Sequence, residues 1–165
     1  MHPYFAFILL PMILSNVGHI LLVKKNAFPN LAVPIATQQF GANKTWRGFL
    51  VLIVLNALTS WLLNLYLGYF ASLEALWLGG ILGFAYMISE LPNSWLKRRQ
   101  GIASGETPGW FVLLDKTDSS LGVSLSSALL FGFSLRQTLV LFLLGSATHV
   151  LFSWLLVVSR VKKRF

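Results

Sequence analysis

The sequence predicts an all-α integral membrane protein with about five transmembrane helices. Of its 165 residues, 56% are hydrophobic and 11% are charged, whereas a soluble domain carries about 25% charged residues. A helix needs about 20 mostly apolar residues to cross the hydrocarbon core of a bilayer. Five long apolar runs meet or approach this length, and Glu90 is the one charged residue within them: 4–23, 49–73, 75–96, 119–135 and 137–159.

The distribution of basic residues predicts the orientation in the membrane. Lysine and arginine collect in the cytoplasmic connections of membrane proteins. Eleven of the 13 basic residues lie in the segments 24–47, 97–109 and 160–164, whereas Arg136 lies on the opposite side and Lys116 within a span. This pattern places the amino terminus outside and the carboxyl terminus in the cytoplasm, which requires an odd number of spans. The net charge of +8 is then explained by topology and anionic lipid, and no nucleic-acid partner is expected.

The elements follow in order within a single domain, 1–165. The first run, 4–23, lacks the basic n-region of a signal peptide and exceeds the usual apolar length of about 7–15 residues, so we interpret it as span 1. The connection that follows contains Pro29, Pro34 and Gly41, which exclude a continuous helix.

Spans 2 and 3 are predicted to be separated by an external turn near Glu74. Pro92 is expected to free a carbonyl group and to open the third span beside a polar cavity. Span 4 is predicted to begin near Trp110 and span 5 near Gln137.

Three polar segments converge on the predicted cytoplasmic face. The first is GANKTWRG (41–48), which precedes span 2. The second is SELPNSWLKRR (89–99), at the end of span 3. The third is LLDKTDSSLG (113–122), in the cytoplasmic half of span 4. This convergence predicts a site at the cytoplasmic end of the bundle.

Asp115 and Asp118 form the acidic part of the predicted site. They are three residues apart and project from nearly the same face of a helix. Two carboxylates form a hard-oxygen site suited to Mg²⁺, and acids at bilayer depth generally mark function. Neutralisation by Lys116 or a neighbouring arginine, as a structural ion pair, stays open as the alternative.

The cations of the other segments suit phosphate. Lys44 offers a point charge and Arg47 a planar, bidentate fork, although both also fit ordinary flanking charge. Cations facing a carboxylate pair are typical of metal-assisted chemistry on phosphates, in which the protein positions substrates and neutralises charge. Because the site lies in the membrane wall, one reactant is expected to be a lipid.

The same segments resemble the CDP-archaeol synthase family, small five-span relatives of the CDP-diacylglycerol synthases. The resemblance rests on FGANKTWRGF (40–49), ELPNSWLKRRQGI (90–102) and TPGWFVLLDKTDSSLG (107–122). Ser94, Lys97 and Arg98 also resemble the S-x-x-K-R portion of the wider cytidylyltransferase signature.

The resemblance implies Mg²⁺-dependent transfer of CMP from CTP to a lipid phosphate, 2,3-bis-O-geranylgeranylglycerol 1-phosphate or a similar lipid, with release of pyrophosphate. It implies catalytic roles for Asp115, Asp118, Lys44 and Arg47, with Glu90 joining the two aspartates as a metal ligand. The implied substrate-binding residues are Thr45, Asn93, Ser94, Lys97, Arg98 and Lys116. For Lys116 a purely structural role stays open, and a homodimer is compatible with the sequence.

Two other classes of function compete with the enzyme. A small ion-coupled transporter or channel would use Asp115 and Asp118 for the coupling ion, but transporters commonly show an internal repeat with broken helices, and the sequence has no obvious repeat. A non-catalytic lipid-binding or assembly protein would leave the carboxylate pair opposite the cations unexplained. The sequence favours the enzyme, located in the cell membrane with its site facing the cytoplasm.

Overall fold

The computed structural model describes residues 2–160, which form six α-helices with no β-strand among them. The basic residues Lys162, Lys163 and Arg164 of the predicted cytoplasmic tail lie outside the described residues. The helices are α1 (Tyr4–Lys24), α2 (Thr37–Phe40), α3 (Trp46–Leu67), α4 (Ser72–Arg99), α5 (Phe111–Phe131) and α6 (Leu135–Val158), and a 3-10 turn covers Pro29–Leu31.

Four of these helices, α1, α3, α4 and α6, are long and apolar enough to cross a membrane. The predicted class, an all-helical membrane protein, is confirmed to that extent. The fifth predicted span is α5, whose 21 residues correspond to a length of about 31 Å at the rise of an α-helix. Each of the other four helices contains an 18-residue apolar window with at most two charged residues, whereas every such window of α5 contains Asp115, Lys116 and Asp118.

Polar and apolar side chains are distributed in the opposite way to a soluble protein. Several polar residues inside the bundle are completely buried: Ser15, Asn56, Ser60, Ser119 and Ser127. Large apolar residues instead lie on the outside, among them Leu14, Leu62, Leu65, Leu129 and Leu143. Helices that face lipid need no polar outer surface and associate through small and hydrogen-bonding residues, so this distribution agrees with a membrane environment.

The long helices alternate in direction, which sorts their connections onto two ends. At one end, aromatic rings from α1, from the turn between α3 and α4 and from the end of α5 pack together; the ring centroid of Tyr4 lies 5.1 Å from that of Phe70 and 5.2 Å from that of Phe131. We call the other end the basic end, because it carries Lys24, Lys25, Lys44, Arg47, Lys97, Arg98, Arg99 and Arg160. The three polar segments predicted to share one face do share it.

Small residues permit the close packing of α4 against its neighbours. A Cβ atom on Gly79 would lie 2.5 Å from Cβ of Ser60 on α3, and one on Gly122 of α5 would lie 2.5 Å from Cβ of Ser89 on α4. Real side chains do not approach so closely, so glycine is required at both contacts. The backbones of α3, α4 and α5 are held together, and this fixes the helices that carry the polar segments.

The turn between α3 and α4 lies earlier than predicted. α3 ends at Leu67, and Gly68 adopts a left-handed conformation with φ of 66°. The Asn64 side chain holds the turn by donating to the Phe70 carbonyl at 2.8 Å and accepting from the Phe70 amide at 3.1 Å. Glu74 therefore lies in the first turn of α4, where a carboxylate stabilises the helix dipole, and the turn predicted near Glu74 lies at residues 68–71.

The expected opening of the third span at Pro92 is not observed. α4 continues through Pro92 to Arg99, and Glu90 and Lys97 therefore lie on one continuous helix. Because the helix is unbroken, residues 90, 93, 94 and 97 fall at intervals of three and four, which places their side chains along one side.

The connection between α1 and α3 is not a continuous helix, as predicted. An isolated bridge joins Pro34 to Thr45, where the Ile35 amide donates to the Lys44 carbonyl at 2.8 Å. Thr45 is the N-cap of α3, and its hydroxyl accepts from the Gly48 amide at 3.2 Å. These bonds fix the backbone of Lys44 at the basic end.

Candidate active site

A cavity of about 430 Å³ runs from the basic end into the middle of the bundle. Its volume is within the range of about 300–1,000 Å³ that is usual for ligand sites. Along α1 the wall extends from Ile20 to Leu9, about 16 Å at the rise of an α-helix. The wall at the basic end includes Lys44, Glu90, Lys97, Arg98, Asp115 and Asp118. The inner wall includes Leu9, Met12, Leu52, Val123 and Leu141.

Asp115 is held by three side chains on the α4 side of the cavity. Lys97 Nζ donates to its two carboxylate oxygens at 2.8 and 2.9 Å, Thr107 Oγ1 donates at 2.7 Å and Asn93 Nδ2 donates at 2.5 Å. Lys97 is 8% exposed, so its charge is compensated inside the protein. Charge-assisted bonds of this kind fix the carboxylate in one orientation.

Asp118 lies beside Asp115 and shares one of its partners. Asn93 Nδ2, which bonds Asp115, also donates to Asp118 at 2.9 Å. The predicted pairing of the two aspartates on one helix face is therefore observed, and a single amide group lies between them. Asn93 Oδ1 is buried and has no hydrogen-bond partner.

The residues around this amide fit a divalent cation. Mg²⁺ takes oxygen ligands and uses one or two protein carboxylates. Asp115 and Asp118 supply carboxylate oxygens, and the unsatisfied Oδ1 of Asn93 supplies an amide oxygen close by. We infer that these three residues are the donor set that suits Mg²⁺.

Glu90 does not join the two aspartates. Its carboxylate forms an ion pair with Lys44, and among residues 2–160 no three His, Cys, Asp or Glu side chains gather into a metal-binding group. The predicted three-acid set of Asp115, Asp118 and Glu90 is thus not gathered into one group among these residues.

The ion pair determines the charge of Lys44, which lies outside the membrane-spanning helices. Burial is the largest single influence and disfavours the charged amine, but the Glu90 carboxylate, with smaller contributions from Asp118 and Asp115, raises the pKa of Lys44 above its usual value. Lys44 therefore stays cationic at neutral pH, and it contributes positive charge to the cavity wall.

Arg98 contacts the two connections at the basic end of the cavity, the one that contains Gly41 and the one that contains Ala103. Its Nη2 donates to the Ala103 carbonyl at 3.1 Å. Gly41 lies directly on it: a Cβ atom there would be 2.9 Å from Arg98 Nη1 and 2.8 Å from Ser104 Oγ, and the φ of 87° also favours glycine. Ser94, one turn before Arg98, is buried and lines the same cavity.

Arg47 and Thr45 have structural contacts instead. Arg47 Nη1 donates to Asn26 Oδ1 at 3.0 Å and to the Ala27 carbonyl at 3.2 Å, which ties the end of α1 to the start of α3. Thr45 caps α3. Neither residue is part of the cavity wall, so the structure does not bring these two predicted site residues together with the others.

Lys116 contacts α6, whereas Asp115 and Asp118 contact α4. It is buried, it lines the cavity, and its Nζ donates to Ser153 Oγ on α6 at 2.8 Å. The ion pair with Asp115 that was considered for Lys116 or an arginine is formed by Lys97.

The sequence did not reveal two further polar contributors. Thr107 lies in the quoted TPGW segment, but only the folded connection shows that its hydroxyl bonds Asp115. Asn16 of α1 donates to the Tyr86 hydroxyl at 2.7 Å, and both residues line the cavity. In the sequence, an asparagine within the otherwise apolar run 4–23 was the feature that could have indicated Asn16.

The arrangement suits an anionic ligand with an apolar part. Cationic side chains flank a carboxylate pair at the basic end, and the same cavity continues between apolar side chains toward the middle of the bundle. Comparisons with family models, with curated proteins and with solved structures gave no match to this chain.

Proposed function

We propose that this protein is a Mg²⁺-dependent cytidylyltransferase that transfers CMP from CTP to a membrane lipid phosphate. The products are a CDP-lipid of the CDP-archaeol type and pyrophosphate. The identity of the reaction rests on the resemblance of the three polar segments to the CDP-archaeol synthases. The structure adds one supporting observation: a single cavity has a charged mouth and an apolar interior, as a reaction between a water-soluble nucleotide and a lipid requires.

The proposal places the protein in the cell membrane with five spans. α5 is the fifth span, and its charged residues face the cavity instead of lipid. The basic end faces the cytoplasm, because basic residues concentrate there and CTP is a cytoplasmic nucleotide. The amino terminus is then outside.

The nucleotide phosphates bind at the mouth. Lys44, Lys97 and Arg98 line that part of the cavity, and their charges complement a triphosphate. Asp115, Asp118 and Asn93 would hold Mg²⁺, which when bound neutralises charge on the phosphate oxygens. Lys97 is paired with Asp115, and on nucleotide binding its amine would bond a phosphate oxygen in place of this carboxylate.

The chemistry requires positioning rather than a covalent enzyme intermediate. An unprotonated oxygen of the lipid phosphate attacks the α-phosphorus of CTP, and the bond from that phosphorus to the bridging oxygen breaks. Pyrophosphate leaves with the electron pair of the broken bond. The chain's cations compensate its charge, which is the main contribution a protein makes to such transfers.

The test is an assay of purified protein in detergent with cytidine-labelled CTP and Mg²⁺. The acceptors are an archaetidic-type ether lipid phosphate, diacyl phosphatidic acid and, as a control without phosphate, diacylglycerol. We expect labelled lipid with at least one phosphate acceptor and none with diacylglycerol or with excess chelator. No transfer to any acceptor would refute the proposal.

Two variants make the assay specific for the site. Asp118→Asn keeps the size of the side chain but removes a carboxylate, and we expect a loss of turnover of about 100-fold or more. Glu106→Gln, an exposed acid in the neighbouring connection, is the matched control and should remain active. Full Mg²⁺-dependent turnover in Asp118→Asn would refute the metal assignment.

A further inference from the structure

The charged residues of α5 face two different walls of the cavity. Asp115 and Asp118 contact Asn93 on α4, whereas Lys116 contacts Ser153 on α6. Consecutive residues of an α-helix are separated by about 100° around its axis, so a lysine between the two acids is directed away from them. α5 therefore directs its two carboxylates toward α4 and its lysine toward α6.

The side of the cavity formed by α6 is lined by polar side chains that donate hydrogen bonds. α6 has no aspartate or glutamate along its whole length, and Thr148 and His149 line the cavity beside Ser153. Hydroxyl, imidazole and ammonium groups all donate hydrogen bonds to phosphate oxygens. Lys116 is 7% exposed and lines the cavity, and an ionisable side chain within a membrane span generally marks a substrate or ion site.

The same wall is continuous with the apolar interior. Leu141 and Gly145 of α6 and Leu9 of α1 line the cavity deeper than Ser153, and Gly145 and Leu9 lie close to each other. An amphiphile whose hydrocarbon lies between α1 and α6 would thus have its polar head beside Lys116. The nucleotide cations Lys44 and Arg98 belong instead to the connection and to α4.

We propose that Lys116, supported by Ser153, binds the phosphate monoester of the lipid substrate, separately from the cations that bind the nucleotide. This inference rests on the proposed function. It assigns opposite walls of one cavity to the two substrates, with Asp115 and Asp118 on the helix between them, so that the two phosphates approach the carboxylate pair from different sides.

Steady-state kinetics test the assignment in detergent-purified protein with dioctanoyl phosphatidic acid and CTP. Because a hydrogen bond to a charged group is lost, Lys116→Met should raise the KM for the lipid phosphate about tenfold or more, while the KM for CTP changes by less than about twofold. Lys116→Arg should largely restore the lipid KM, and Ser153→Ala should raise it about threefold. A rise confined to the KM for CTP would overturn the proposal.

A binding measurement separates this inference from the proposed function. Without CTP, dioctanoyl phosphatidic acid should raise the Tm of the unaltered protein more than dioctanoylglycerol does, and Lys116→Met should abolish the difference. If binding behaves so but no CMP is transferred, the cytidylyltransferase proposal fails and the phosphate site stands. If Lys116→Met binds phosphatidic acid as well as the unaltered protein, the phosphate site fails.

Two controls complete the design. Inorganic phosphate at the same concentration should give no comparable rise in Tm; an equal rise that depends on Lys116 would assign the site to free phosphate and overturn the lipid assignment. If Lys116→Met does not fold, as judged by gel filtration and helix content, Ser153→Ala decides. An unchanged lipid KM in Ser153→Ala would then overturn the proposal.

Discussion

Asn93 donates from a single nitrogen to both Asp115, at 2.5 Å, and Asp118, at 2.9 Å. One neutral amide thus separates two carboxylates inside the bundle. The Oδ1 atom of the same amide is buried without a hydrogen-bond partner. A buried polar atom is normally satisfied, so this oxygen is available to a ligand. The contact therefore allows metal binding to be tested through thermal stability, without an assay of catalytic activity.

Asn93→Asp should make the stability of the protein depend on a divalent cation. The substitution replaces the bridging donor by a third carboxylate, and neighbouring like charges destabilise one another. In excess chelator we expect a Tm below that of the unaltered protein, and Mg²⁺ should raise the Tm of the variant more than that of the parent. Gln38→Glu, on exposed α2, adds the same charge as a control. Equal Tm values for parent and Asn93→Asp in chelator would contradict the bridging role.

Lys97 and Arg99 provide a comparison of two cations on the same turn of α4. Lys97 is buried against Asp115, whereas Arg99 is exposed over the ring of Trp95 at 4.7 Å. Removing one partner of a buried pair leaves the other charge uncompensated, so Lys97→Met should lower the free energy of unfolding by about 3 kcal/mol. Arg99→Met should lower it by less than about 1 kcal/mol.

Unfolding of both variants in mixed detergent measures the difference. A double variant, Lys97→Met with Asp115→Asn, should be less destabilised than the sum of the single variants, because the pair is removed together. Additive losses would show that Lys97 and Asp115 are not coupled.

Gly79 and Gly80 test the packing that holds the site together. A Cβ atom on Gly79 would lie 2.5 Å from Cβ of Ser60 and 2.8 Å from the backbone carbonyl oxygen of Asn56, whereas one on Gly80 would meet only Cβ of Ala57, at 3.9 Å. Gly79→Ala should therefore separate α3 from α4 and cost about 1–3 kcal/mol. Gly80→Ala should be neutral or stabilising, since alanine favours the helix. Thermal unfolding that ranks the two variants in the opposite order would contradict the observed contact.

The orientation in the membrane is open to cysteine labelling, because the chain contains no cysteine of its own. Single cysteines replace Glu106, in the connection at the basic end, and Arg136, at the start of α6 at the other end; both positions are exposed. In intact cells an impermeant maleimide should label the cysteine at 136 and not the one at 106 until the membrane is opened. The reverse pattern would contradict a cytoplasmic basic end.

Much of the fold could be predicted from the sequence, because the lengths of the apolar runs and the positions of the charged residues can be read from it. The start of α5 near Trp110, the broken connection between α1 and α3, and the grouping of three polar segments at one end all agree with the structure. The turn after α3 was placed too late because Gly68 and Asn64 lie in an apolar run, where only their backbone conformation and hydrogen bonds reveal a turn.

The candidate site was less predictable than the fold, because its partners lie far apart in sequence. Arg47 and Lys44 look equivalent in GANKTWRG, but Arg47 ties α1 to α3 whereas Lys44 pairs with Glu90. Spacing placed Asp115 and Asp118 on one face, yet it did not show that Lys116 reaches α6 or that Asn93 bridges the acids. These contacts depend on how neighbouring helices are rotated, which no local pattern specifies.

CMP transfer is tested most directly by following each phosphorus of CTP. Purified protein receives Mg²⁺, a lipid phosphate and CTP labelled either at the α-phosphorus or at the γ-phosphorus. CMP transfer predicts that the α-label appears in the lipid and the γ-label in pyrophosphate, in equal amounts. Appearance of the γ-label in lipid, or of no label in lipid with any phosphate acceptor, would contradict CMP transfer.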